Sequence, residues 1–326
     1  MYLTQLDPAF LAVESESTPS LDLFFSATKE LDSRITFTRA SVGTYIDSAG
    51  ALQTASSGVA RFTHNPSTLA SLGLLVEESR INILLNSATL STQSVTTTAT
   101  AYTLSFTGTG TITLSGTSTA GPLAGTGTGE ANRVSLTFTP TAGTLTLTVS
   151  GTVTNAQLEA GSFRTSYIPT TGSQVTRAAD AVSMTSTNFT SWFNSSAGTL
   201  SADGVLTTAS GSRRLATFGG TGLGAGLRVN GTTSTAIWRT PTNYDASTGT
   251  VAAGNIKHVM SWSDSTMSAA ANGGTVGTST PPTPLNAAFI NIGSSDTGFD
   301  YWNGTISRIR FYRRRFPNAA LQTITT

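Results

Sequence analysis

The stretch Gln157–Met184, QLEAGSFRTSYIPTTGSQVTRAADAVSM, decides how the chain divides. It starts as a strand, breaks at Ile168-Pro169 with Thr170-Thr171-Gly172 behind it, and turns polar again through Arg177 and Asp180. Proline has no N–H to give a sheet ladder and pushes the residue before it into extended geometry, so a sheet ends here. On both sides lie short alternating segments punctuated by glycine. The stretch reads as a seam at which one β-sandwich, residues 31–172, hands the chain to a second, residues 173–326.

Upstream of the seam the alternation is cleanest. Leu104 and Phe106, Ile112 and Leu114, Val134, Leu136 and Phe138, and Leu145, Leu147 and Val149 each alternate with Thr or Ser. Period two with polar partners describes half-buried antiparallel strands, one face in a core and one in water. Threonine suits the outer face because β-branched side chains favour extended backbone. Gly108, Gly110, Gly116, Gly121-Pro122 and Ala142-Gly143 supply the turns. Nearer the start, Tyr45-Ile46, the turn Asp47-Ser48-Ala49-Gly50 and Ala51-Leu52-Gln53 predict a hairpin. Gly73 to Leu85 packs apolar residues around Glu77, Glu78 and Arg80, which predicts a buried segment with its own ion pair, Glu77 or Glu78 with Arg80.

Downstream the strands continue at Gly198–Ser201, Leu215–Phe218, Gly226–Val229, Thr235–Trp238, His258–Trp262, Phe289–Gly293 and Thr305–Tyr312, with a tight turn at Asn272-Gly273-Gly274. Helical periodicity is confined to Asn318–Ile324, after Pro317. The expected fold class is all-β: two antiparallel, jelly-roll-like sandwiches, with residues 1–30 as a tail or docking segment and the N-terminal block strapped onto the first sandwich.

The chain has 326 residues, long enough for two domains. Eighteen basic residues against 17 acidic ones leave a net charge of +1, so no basic field steers nucleic acid. Cysteine is absent, which removes disulfides, thiolate ligands and cysteine nucleophiles. The first 20 residues lack the basic and apolar regions of a secretory signal, and no apolar run approaches the ~20 residues of a membrane span. A chain made in the cytoplasm, without membrane insertion, is expected.

Two sets of residues resemble known families. Ile292-Gly293-Ser294-Ser295 with Trp302 to Tyr312 (WNGTISRIRFY), followed by Arg313 to Gln322 (RRRFPNAALQ), is similar to the closing strands of the laminin-G/concanavalin A-like lectin fold. Leu31 to Ser41 (LDSRITFTRAS), Gly73 to Asn82 (GLLVEESRIN), and Gln157 to Gly161 (QLEAG) with Ser166 to Thr170 (SYIPT) resemble blocks of bacteriophage virion proteins that carry lectin-like sandwiches. The resemblance implies a concanavalin A-like second sandwich. It implies a virion surface protein of the tail- or head-fibre or receptor-binding type, located on the virion and binding a host-surface polysaccharide. Partners would be other virion proteins through the N-terminal segment and copies of itself, a trimer by analogy. A capsid decoration protein that stabilises the shell is the first alternative, and a polysaccharide-degrading enzyme the second.

Catalytic signatures are missing. His64 and His258 are isolated, no nucleophile elbow, phosphate loop or zinc-protease motif occurs, and Gly219 to Gly226 read as loop or strand-edge glycines. Asp203, Asp245, Glu130 and Asp264 offer no paired-acid spacing, so no catalytic residue, metal or cofactor is assigned and the chain is read as non-enzymatic. Glycan binding asks for less: an aromatic platform beside amides and carboxylates. Trp238 with Arg239, Asn243, Tyr244 and Asp245 is one such set, and Asp296, Phe299, Asp300, Tyr301 and Trp302 another. The candidate carbohydrate-binding residues are Trp238, Asn243, Tyr244, Asp245, Asp300, Tyr301 and Trp302.

Overall fold

The computed structural model describes residues 18–326 except 222, 241 and 283; the virion-docking role expected of the N-terminal segment falls largely on residues 1–17, outside the described ones. The fold is all-β, with every strand pairing antiparallel. A large sandwich faces two sheets across one core. Its first sheet runs in the order Gly277–Ser279, Thr266–Ala271, Gly254–Ser263, Ala197–Leu206, Gly304–Tyr312, Ser71–Val76 and Phe62–His64, with Leu21–Leu23 also edging Gly304–Tyr312. The second runs Thr36–Thr38, Ala181–Thr185, Phe289–Ile292, Ser212–Gly220, Leu223–Asn230, Thr233–Arg239 and Asn243–Thr250. These two long antiparallel sheets form the larger of the two expected sandwiches.

The small sandwich packs Leu123–Ala124, Thr111–Gly116, Gly143–Ser150 and Gln93–Thr97 against Val134–Phe138, Tyr102–Gly108 and Val153–Ala160. Its core holds Leu104, Phe106, Ile112, Leu114, Leu145, Leu147 and Leu158. Threonines on the outer faces bond across strands, as Ser94 with Thr146 and Thr107 with Thr154, both at 2.9 Å. One strand departs from the expected half-exposure. Tyr102–Gly108 is buried on both faces, because the side bearing Thr103, Ser105 and Thr107 lies under Arg133, Gly161 and Thr154.

The expected division at residue 172 needs correction. Leu21–Leu23, Phe62–His64 and Ser71–Val76 do not strap onto the small sandwich; they hydrogen-bond into the first sheet of the large one, and Thr36–Thr38 into the second. The small sandwich is therefore an insertion within the large one. Arg80–Asn82 leads out and Val175–Arg177 leads back, and the two pair with each other, Asn82 opposite Val175. Strand alternation reports which residues face a core but not which core, and that is decided by long-range pairing.

Helices are also slightly more numerous than expected. Asn318–Thr325 is helical as the pattern predicts, but Phe25–Thr28 and Ser186–Thr190 form one-turn helices and Glu130–Asn132 a 3-10 turn. At the first of these, the alternating strand stops at Leu23 and a turn of helix delivers Phe25 to the core while Phe24 stays 41% exposed.

Candidate functional site

The outward face of the seven-stranded sheet carries a groove of about 620 Å³. On this sheet Phe218, Ala225, Leu227 and Trp238 point into the core. Their neighbours on the same strands point outward: Gly219, Gly224, Gly226, Arg228 and Arg239. Gly219 pairs with Gly224, and Gly224 with Arg239. Gly219, Gly220, Gly224 and Gly226, read as loop or strand-edge positions, thus lie in paired strands, and Gly220 and Gly224, without side chains, make the floor of the groove. Arg214, whose cross-strand partner is Arg228, stands at one end.

The roof is the loop from Ser295 to Asp300. Ser295 N–H donates to the Phe299 carbonyl at 2.7 Å, Phe299 N–H to Ser295 Oγ at 2.9 Å, and Gly298 N–H to the Ser295 carbonyl at 3.0 Å. Gly298 sits at φ +77°, left-handed backbone that glycine adopts without strain. Arg214 N–H donates to the Asp300 carbonyl at 2.9 Å and ties the loop to the sheet. So held, the loop presents Phe299 with 70% of its surface exposed. Asp296 leans over the floor: a Cβ on Gly224 would lie 3.2 Å from its carboxylate.

The electrostatics are unusual for a surface. Arg214 is only 1% exposed, and its Nη1 has no hydrogen-bond partner. Its one carboxylate neighbour, Asp300 Oδ2, is 3.5 Å from Nε and also accepts from Ser212 Oγ at 3.0 Å. Burial, with Arg239 and Arg228 close by, pulls the Arg214 guanidinium down to about 10. Arg228 is paired with Asp245 at 2.9 Å. Arg239 and Asp296 make no ion pair among the described residues. A donor-rich wall, an acceptor above a flat floor and an exposed ring are the groups that a flat, hydroxylated ligand would use.

The residues expected to bind sugar divide between this site and the core. Trp238 and Trp302 are fully buried and cannot be platforms. Trp238 packs edge-on against Trp262 with ring centroids 6.1 Å apart, and Trp302 Nε1 donates to the carbonyls of Val205 and Thr305, both at 3.1 Å. Tyr244 and Tyr301 are half-buried against the same core. Asn243 is exposed at the strand end opposite Arg239. Asp300 lines the groove, and Asp245 reaches it only through Arg228. The aromatic that does face the groove is Phe299, on the loop the sequence singled out. Arg214 was missed, since nothing local distinguishes a buried arginine from a surface one.

A second constellation lies between the sandwiches. Asp180 accepts from Arg39 at 3.0 Å and Arg61 at 2.6 Å, and Arg61 also meets Glu77 at 2.9 Å. All four are buried. Ser166, from the small sandwich, donates its N–H and Oγ to Glu77 at 2.7 and 2.6 Å. Burial would raise the Glu77 carboxyl, but Arg177, Arg61 and the Ser166 donors outweigh it and hold it at about 2. The expected ion pair resolves as Glu78 with Arg80, at 2.5 Å, while Glu77 goes to Arg61 and Arg177. The arginine guanidinium of Arg80 lies on Gly161 and over the Phe163 ring, 4.7 Å from its centroid. The carboxylates here are engaged by arginines from both ends of the insertion, which marks a joint between the sandwiches, although Nε of Arg61, Arg80 and Arg177 has no hydrogen-bond partner among the described residues.

No protein-family model and no curated protein matches the chain. Among solved structures it is similar to the CBM40 of the Ruminococcus gnavus IT-sialidase, at 14% identity and a TM-score of 0.36, over 41% of this chain and 84% of that one. The same module bound to alpha2,6 sialyllactose gives 13% and 0.37, over 43% and 88%. The Trypanosoma rangeli sialidase in complex with DANA gives 18% and 0.35, over 45% of this chain and 26% of that one. Likeness at this level carries no conclusion about ligand or activity; those rest on the geometry of the chain itself.

Proposed function

We propose that the chain is a non-enzymatic glycan-binding protein of a bacteriophage particle surface, and that its sugar site is the groove between Arg214, Arg239, Asp296 and Phe299. The observation that carries the binding site is the buried Arg214 guanidinium, which lines a glycine-floored groove beside an exposed ring and has an Nη1 without a hydrogen-bond partner. Phe299 stacks on the apolar face of a sugar, Asp296 accepts from hydroxyls, and the arginines donate to ring and hydroxyl oxygens. The virion setting is supported by the phage-like blocks at residues 31–41, 73–82 and 157–170. Hydrolysis is disfavoured because the acids once considered lie apart: Asp203 faces Arg310 on the other sheet, Asp264 sits in a hairpin turn, Glu130 belongs to the small sandwich and Asp245 is held by Arg228. In the groove, Asp300 is already engaged by Arg214 and Ser212.

The test is saturable binding of purified protein to host cells and to a glycan array. Phe299→Ala removes an exposed ring without touching the core, and should weaken binding about tenfold, the order of 1–1.5 kcal/mol for a stacking contact. Binding that survives Phe299→Ala and Asp296→Asn unchanged would remove the groove as the site. Stoichiometric binding to virus shells with no cell or glycan binding would make the protein a capsid decoration instead.

A further inference from the structure

Three guanidiniums stand on three adjacent strands of the seven-stranded sheet, and two of them, Arg214 and Arg239, line the groove. Arg214 and Arg228 are direct cross-strand partners, and Arg239 lies one strand further on, opposite Gly224. Like charges at such spacing repel unless counterions separate them. Asp245 neutralises Arg228, and Asp300 partly neutralises Arg214 at 3.5 Å while sharing its Oδ2 with Ser212. Among the described residues Arg239 pairs with no carboxylate, and the buried Arg214 Nη1 has no hydrogen-bond partner. The third acid, Asp296, leans over Gly224 without pairing with either arginine among the described residues. The three acids match the three arginines in charge, but the hydrogen-bond donors of Arg214 and Arg239, which line this end of the groove, outnumber the acceptors that engage them.

We propose that the saccharide recognised here is acidic, carrying a carboxylate or sulfate that lodges between Arg214 and Arg239. The inference rests on the reading of the groove as a glycan site and narrows it. A neutral hydroxyl can accept one N–H but leaves the other unengaged donors of Arg214 and Arg239 without acceptors. A planar anion presents two oxygens, which fits the guanidinium fork and makes charge-assisted bonds roughly twice as strong as neutral ones. Asp296 stands where it meets hydroxyls of the same ring rather than the acidic group, so its charge selects the orientation of the sugar. Burial and the neighbouring arginines already depress the Arg214 guanidinium, and an anion relieves both.

The experiment is a binding titration of the full chain against matched glycan pairs: tri-galacturonate and its methyl ester, sialyllactose and lactose, and a sulfated disaccharide and its desulfated form. The expected result is that one acidic probe binds at least about tenfold more tightly than its neutral partner. That preference should shrink as salt is raised, because screening weakens it. It should be lost in Arg239→Gln, an exposed position whose change does not threaten folding, and in Arg214→Gln if that variant retains its β-sheet circular dichroism. The carboxylate and sulfate arms separate the two sources of the anion. Equal binding of each acidic probe and its neutral partner would overturn the acidic preference and leave the glycan reading standing. Binding to none of the six probes would overturn the preference, and absence of binding across the whole array would remove the glycan reading with it.

Discussion

At the scale of single residues, the chain buries charge in one place and aromatic rings in another, and the two respond differently to substitution. Asp180 takes Arg39 and Arg61 and also accepts the Glu77 N–H at 2.9 Å. Asp180→Ala leaves the buried Arg39 guanidinium without its counterion and Arg61 with Glu77 alone, and the expected cost is about 3–5 kcal/mol, read from denaturant unfolding. A loss below about 1 kcal/mol would mean that water reaches the site. Acid should act here as well. The buried His258 is held at about 3 by burial against an ordinary 6.5, so it stays neutral in the fold while the unfolded chain takes up a proton. Stability from this group is full above pH 6.5 and falls as pH drops towards 3, by up to about 1.4 kcal/mol per unit. Glu77, depressed from 4.5 to about 2, adds a second loss that begins below pH 4.5. Glu159 opposes them: burial raises it despite Thr165 and Gln157, so its penalty at neutral pH is relieved as acid is added. A melting-temperature series from pH 7 to 4 should fall throughout, and His258→Gln should flatten its upper part if the histidine is the cause.

At the scale of elements, the strand Gly304–Tyr312 organises the large sandwich. It is flanked by Ala197–Leu206 on one side and by Ser71–Val76 and Leu21–Leu23 on the other, so it joins the two ends of the chain to the middle. The approach is close: Gly73, at φ +91°, lies against the Ile306 carbonyl with no room for a Cβ. Gly73→Ala is expected to destabilise on two counts, strained backbone and a forced separation of the strands. The groove belongs to the opposite sheet and depends on a similar economy of side chains. Gly224→Ser would push Asp296 off the floor, because its Cβ alone would come within 3.2 Å of that carboxylate. Ligand binding should then fall while the melting temperature changes little, a split that a purely structural glycine would not show.

At the scale of the whole molecule, the small sandwich is an inserted unit with its own core, closed at the neck by the pairing of Arg80–Asn82 with Val175–Arg177. Asn82 clamps the exit by donating to the Ala156 and Ile168 carbonyls at 3.0 and 2.8 Å and accepting the Leu158 N–H at 3.1 Å. Replacing residues 84–173 by a short glycine-serine linker should leave a large sandwich that folds and still binds at the groove. It should be less stable, because Glu77 loses both Ser166 donors. Loss of all β-sheet signal in that deletion would show that the joint, not the core, holds the large sandwich together.

The order of strands along the chain, the all-β class and the alternation of core and surface in the small sandwich were legible in the sequence, because period-two patterning is a local property of each strand. So was the loop that roofs the groove, with Phe299, Asp296 and Asp300 close together in the chain. The partition of strands between sandwiches, the burial of Trp238 and Trp302, and the convergence of Arg214, Arg239 and Asp296 on one glycine floor were decided by tertiary structure. A tryptophan between polar neighbours looks the same whether it faces a core or a ligand, and Arg39 and Asp180, 141 residues apart, declare themselves partners only when two sheets close around them. Sequence sets which face of a strand is apolar; only packing sets what that face meets.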